Sequence, residues 1–130
     1  MTLSERIAAL QGADRAVDAA VFAALFPERV PAQIVETGYG WRFSGHHWWL
    51  ATGEDSRTPP RMITPDRFTA SLDAAMTVVP EGARVRIDVM EDGRGGAWVY
   101  WPAEMPTGFT DLCATPALAL LSAALKARGL

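Results

Sequence analysis

The chain has 130 residues, 49% of them hydrophobic and 21% charged, with a formal net charge of −3. That is the size of one ordinary domain, with enough apolar residues for a core that needs no disulfide or metal. The acidic balance excludes a general nucleic-acid binder, though not a local basic pocket, and the single cysteine, Cys113, excludes an internal disulfide and fits a reducing compartment.

Taken in chain order, residues 3–10 read as a short, loosely attached helical turn. Asp14 is the expected N-cap of a helix in which Val17, Val21, Phe22, Leu25 and Phe26 recur at helical spacing. Pro27 stops it. In residues 32–52, Tyr39, Trp41 and Phe43 alternate with Gly40 and Arg42, Ser44-Gly45 is a turn, and His46 to Leu50 returns as a strand: a first hairpin. Residues 53–65 are polar and proline-rich, a surface loop. Thr69 is the expected N-cap of a second helix with the apolar stripe Leu72, Ala75, Met76 and Val79, closed by Pro80-Glu81-Gly82.

In the segment from Arg84 to Met90, Val85, Ile87 and Val89 face one way and Arg84, Arg86 and Asp88 the other. Glu91 to Gly96 is a glycine-rich turn, and Ala97 to Trp101 is the partner strand of a second hairpin. Residues 102–113 read as a loop holding Met105, Pro106 and Phe109. Thr115 caps a last helix with Pro116 at its first position, Leu118, Leu121 and Leu125 form its buried stripe, and Gly129 ends it. The order helix, hairpin, helix, hairpin, helix predicts a single α+β domain spanning 1–130. Its antiparallel sheet comes from the two hairpins, with helices packed on both sides as an αβα sandwich, because AWVYW is apolar on both faces.

No motif in the chain points to catalysis, so no enzyme activity and no cofactor is expected. Cys113 has no histidine or carboxylate cluster beside it and reads as a small buried residue. His46 and His47, adjacent on a strand, point to opposite faces and lack the further ligands a metal needs, so no metal site is expected. EDGRGGAW lacks the Gly-Lys-Ser/Thr of a phosphate loop and lies between strands. The N-terminal MTLSERIAALQGADR has no basic start and apolar run, and no stretch reaches the ~18 apolar residues of a membrane span, so a cytosolic protein with no membrane partner is expected.

The aromatics carry more information. Trp41, Trp48, Trp49, Trp98 and Trp101 stand alongside Tyr39, Phe43, Tyr100, Phe68 and Phe109, more than one small core absorbs. Surplus aromatics on a sheet mean a second helix layer, an oligomer interface or a base-stacking pocket. The positive charge is almost all arginine, with Lys126 the only lysine. Arg84 and Arg86 share one face of a strand, and guanidinium forks beside aromatic rings are the chemistry of nucleotide recognition.

Three stretches together, RAVDAAVFAALF, DRFTASLDAAMTVVPEG and ATPALALLSAALKARGL, resemble the phage αβα-sandwich domain family of small phage and prophage proteins. That family opens its second helix with an aromatic, two small hydroxyl residues and an acid. Phe68 and Thr69 keep the start, Ala70 replaces a hydroxyl, and Ser71 stands where the acid is usual. The family's Thr–x–Ala–Leu–Ala pattern is matched by Thr115, Ala117, Leu118 and Ala119. The resemblance implies a fold shared with the homo-oligomeric sponges that oppose Thoeris and cyclic-oligonucleotide defences.

On that footing the expected protein is a non-catalytic phage protein in the bacterial host cytoplasm. It would be a homo-oligomer that sequesters a small nucleotide-derived signalling ligand, a cyclic nucleotide or a cyclic-ADP-ribose-type molecule, and it would not bind a DNA or RNA duplex. The expected ligand-binding residues are Trp98, Tyr100 and Phe68 for stacking, and Arg84, Arg86, Arg67 and Arg128 for phosphate. Thr69 and Ser71 would donate hydrogen bonds at a helix start. The alternatives are an accessory protein that binds and inhibits a host protein, and a structural component of the virion.

Overall fold

The computed structural model describes residues 1–30, 41–44, 47–50, 61–101, 106–110 and 112–130. They form an α+β protein of two compact units, one from Met1–Val17 with Arg67–Leu130 and one from Asp18–Asp66. The elements are α1 (Leu3–Ala8), α2 (Arg15–Leu25), β1 (Trp41–Ser44), β2 (His47–Leu50), β3 (Arg61–Ile63), α3 (Leu72–Met76), β4 (Arg84–Val89), β5 (Gly95–Tyr100), β6 (Pro106–Phe109) and α4 (Pro116–Ala127). Among the described residues the hairpins lie in two antiparallel sheets of three strands, β1-β2-β3 in the smaller unit and β4-β5-β6 in the larger.

Helix α4 organises the larger unit. Thr115 Oγ1 accepts from the backbone N–H of Leu118 at 3.2 Å, and Pro116 takes the first position, where its missing N–H costs nothing. At the other end Gly129 adopts φ 81°, its N–H donates to the Lys126 carbonyl at 3.0 Å, and that of Leu130 donates to Leu125 at 2.8 Å. This pair of bonds satisfies the last carbonyls of a glycine-terminated helix. All residues from Ala117 to Leu125 are buried, Leu120 as well as the expected Leu118, Leu121 and Leu125. A helix apolar all round must be covered all round. The β4–β6 sheet, α1 and α3 all pack on it.

Helix α1 is anchored, not loosely attached. Thr2 caps it through the N–H of Glu5, whose carboxylate accepts from the Thr2 N–H in return. Ile7 is fully buried, and the buried Ser122 hydroxyl of α4 donates to the Ser4 carbonyl at 2.8 Å. Helix α3 is short and begins later than expected. Ser71, not Thr69, is its N-cap, with Oγ accepting from the Ala74 N–H at 3.2 Å. Its inward residues are Ala75 and, just beyond its end, Val78, whereas Leu72 and Met76 are 41% and 45% exposed. The expected stripe is therefore rotated, because five residues make little more than one turn and only one narrow edge meets α4.

In the smaller unit, Asp18–Leu25 continues α2 and ends before Pro27, which opens a single 3₁₀ turn, Pro27–Arg29. The Phe22 and Phe26 ring centroids lie 5.0 Å apart, and the Arg29 guanidinium lies over both. The first hairpin pairs Trp41 with Leu50 and Ser44 with His47, so Ser44 belongs to the strand. Strand β3 pairs Trp48 with Ile63 inside a stretch expected to be loop. Tyr39, Gly40 and His46 lie outside the described residues.

Candidate ligand-binding face

The second hairpin places the arginines. Its register pairs Arg84 with Tyr100, Arg86 with Trp98, Ile87 with Ala97 and Asp88 with Gly96. Residues directly across an antiparallel pair share a face, and alternate residues switch faces. Ala97 and Val99 are fully buried on the side of α4, with Val85 and Ile87 half-buried beside them. Val89, at the strand end, is 66% exposed instead of joining them. The sheet lies close to the helix because a Cβ at Gly108 would fall on the Ala123 carbonyl, and one at Gly95 would lie 2.7 Å from the Pro116 Cα. The strand begins at Gly95, two residues before the expected Ala97, because Gly95 and Gly96 pair with Val89 and Asp88 of β4; Gly95 also exchanges backbone hydrogen bonds with Cys113.

The outer face carries Arg84, Arg86, Asp88, Trp98 and Tyr100. The Arg84 guanidinium sits 5.2 Å from the Tyr100 ring centroid, and that of Arg86 sits 5.1 Å from Trp98. Both are cation–π geometries, worth ~0.5–1 kcal/mol each at exposed sites. Arg86 Nε also donates to Asp88 Oδ1 at 3.4 Å, and the Arg86 side chain remains 65% exposed. Such a bond on an open surface adds little stability. Strand β6 widens the face: Phe109 pairs with Trp98, is 58% exposed, and has the Lys126 ammonium 5.8 Å from its ring. Lys126 Nζ also donates to the Phe109 carbonyl at 3.1 Å. Among the described residues, three cations and one carboxylate thus meet three rings, a locally basic face on an acidic chain.

Beyond Asp88 the strands turn through Met90–Arg94. The Met90 N–H donates to the Arg94 carbonyl at 2.8 Å, and Gly93 takes φ 89°, a conformation that favours glycine. The Arg94 N–H and guanidinium both donate to the Asp92 carboxylate, at 3.1 and 2.6 Å, and hold it below the usual carboxylate range.

Four of the nine expected ligand-binding residues therefore converge: Arg84, Arg86, Trp98 and Tyr100. The other five lie elsewhere in the unit. Phe68 is 2% exposed and belongs to the core. Thr69 is buried, its Oγ1 accepting from the Asp14 N–H at 2.9 Å and donating to the Asp14 carbonyl, while Asp14 caps α2 through Ala16 and Val17. Ser71 is occupied as the α3 cap. Arg67 is exposed in the turn leading to α3, where its carbonyl accepts from Ala70 and Ser71. Arg128 Nε donates to the Val78 carbonyl at 2.6 Å and ties the end of α4 to the segment after α3. Helix α3 packs on α4, and α4 packs on the inner face of the sheet, so these residues are a helix layer away from the outer face.

Two members of the face carry little signal in the sequence. Phe109 sits in Pro-Thr-Gly-Phe, where proline and glycine mask a strand. Its signal is the single aromatic following a glycine that permits close approach to a helix. Lys126 comes to the face only through the fold.

Among the described residues no cluster of three or more His, Cys, Asp or Glu side chains would hold a metal ion, and no helix is long and apolar enough to cross a membrane. Cys113 is 3% exposed. The chain matches no family model, no curated protein and no solved structure.

Proposed function

We propose that this chain is a non-catalytic binding protein that captures a small nucleotide-derived signal on the outer face of the β4–β6 sheet. The observation that carries the reading is the pair of arginine-over-aromatic contacts, exposed Arg84 on half-buried Tyr100 and exposed Arg86 on half-buried Trp98, side by side. Aromatic rings stack any base through its π-face, and guanidinium groups pair with phosphate at their edges while stacking through their planes. A sponge holds its ligand without turnover, so a face built of rings and cations is sufficient for it. The phage-encoded anti-defence role, against a cyclic nucleotide or cyclic-ADP-ribose-type signal, is proposed from the resemblance read in the sequence alone, and the contacts of the face bear on ligand capture only. A single sheet face leaves one side of a stacked base in water, and a second copy of the chain would close it, which fits a homo-oligomeric sponge.

The test is retention. Protein incubated with cyclic dinucleotides, cyclic trinucleotides and cyclic ADP-ribose isomers, desalted and then heat-denatured, should release one class chemically unchanged. Release of a hydrolysed product would make the protein an enzyme.

A second reading rests on the apolar side chains around the same sheet: Val89, Met90, Trp101, Phe109 and Leu112 are 37–66% exposed. Exposed apolar surface of that kind suits a protein partner. Stoichiometric capture of one host protein, with no nucleotide retained, would favour it.

A further inference from the structure

The spacing of the rungs bears on how many bases such a ligand has. Trp98 and Tyr100 are two residues apart on one strand, so their rungs are about 6.7 Å apart. Successive bases stacked as in a duplex are only about 3.4 Å apart, too close for each to take its own ring. A ligand that uses both rungs must have its bases splayed, as in unstacked single strands. Each rung also brings its own guanidinium, Arg84 with Tyr100 and Arg86 with Trp98.

Among the described residues the ladder has two rungs. The next pair along the strands is Asp88 with Gly96, which replaces a cation by a carboxylate and a ring by nothing. In the other direction β4 begins at Arg84 and β5 ends at Tyr100. Phe109 lies across from Trp98 and widens that rung sideways without adding a third in line.

We infer that the face is built for a two-base phosphodiester, a dinucleotide in linear or cyclic form, with one splayed base on each rung. This rests on the nucleotide reading above, and it separates dinucleotides from one-base signals of the cyclic-ADP-ribose type and from longer single strands, which would gain nothing past Asp88.

The experiment is calorimetric titration of the full chain with adenosine monophosphate, linear diadenylate, cyclic diadenylate and hexa-adenylate. At least one diadenylate should bind about tenfold or more tighter than the monophosphate. Whichever of the two binds tighter identifies the linear or the cyclic form as the ligand. Hexa-adenylate should bind no tighter than linear diadenylate. Trp98→Ala and Tyr100→Ala should each bring the preferred diadenylate down to the level of the monophosphate, and Trp98→Phe, which keeps a ring, should restore most of the difference. Equal affinity for monophosphate and both diadenylates would overturn the two-base inference while leaving nucleotide capture standing. Affinity that climbs from two to six nucleotides would also overturn it. No binding by any of the four would remove the nucleotide reading itself.

Discussion

The two faces of the β4–β6 sheet are built from alternate residues of the same strands, yet they follow opposite rules. The inner face is small and closed over β5 and β6, where Ala97, Val99, Gly95 and Gly108 let backbone approach backbone under α4, and opens toward Val89 of β4. The outer face is large and open: Trp98, Tyr100 and Phe109 with Arg84, Arg86 and Lys126. Interiors are packed to crystal density, so the inner face leaves no room for a side chain at Gly95 or Gly108, whereas side chains facing water are less constrained by packing. One strand therefore alternates residues packed under α4 with residues of the proposed binding face.

Substitutions can break that division in graded steps. The largest expected effect is on the inner face: Gly108→Val drives a side chain into the Ala123 carbonyl and should cost about 3 kcal/mol, the upper end of overpacking, read as a fall in urea midpoint with unchanged slope. Nucleotide affinity of the folded protein should stay within twofold. On the outer face the pattern reverses. Trp98→Ala should weaken nucleotide binding by about 1–3 kcal/mol in calorimetry on the folded protein, and Trp98→Phe, which keeps a ring, should lose less. Arg86→Ala should cost about 1.5 kcal/mol of affinity and make binding less dependent on salt, since one charged contact is gone.

Smaller effects fall outside both faces. Thr115→Ala removes the cap of α4 and should lower stability by about 1 kcal/mol with no effect on binding. The smallest concerns acid. Arg94 holds the Asp92 carboxyl below its ordinary value in the folded state, so the stabilisation is complete above the ordinary carboxylate pKa and fades as pH falls through the lowered one. Asp92→Asn should flatten the acid limb of a stability–pH curve in that window and nowhere else. An unchanged acid limb would show that the exposed contact contributes nothing.

Much of the outer face is legible in the sequence because a strand's period is two. Arg84, Arg86 and Asp88 alternate with Val85 and Ile87, and that alternation by itself assigns the two faces. Helix ends are legible for the same local reason: Asp14, Thr115, Pro116 and Gly129 act through bonds to neighbours a few residues away. What is not legible depends on distant partners. Thr69 looks like a cap, yet its hydroxyl is taken by Asp14, 55 residues away, and Arg128 looks like a phosphate ligand, yet it is held by the Val78 carbonyl. Strands β3 and β6 are hidden because Arg61–Ile63 is three residues long and Pro106–Phe109 contains proline and glycine.

The most direct test of nucleotide capture on the outer face is a thermal-shift comparison of the wild-type chain and Trp98→Ala against cyclic dinucleotides, cyclic trinucleotides and cyclic ADP-ribose isomers. A ligand that binds only the native state adds about 4 kcal/mol at a thousand times its dissociation constant, a rise of many degrees for a chain this size. Capture through Trp98 predicts such a rise for one class with wild type and most of it lost in Trp98→Ala, each rise being read from that protein's own ligand-free melting point. An equal rise in both proteins would place the ligand elsewhere, and no rise with any compound would contradict nucleotide capture on this face.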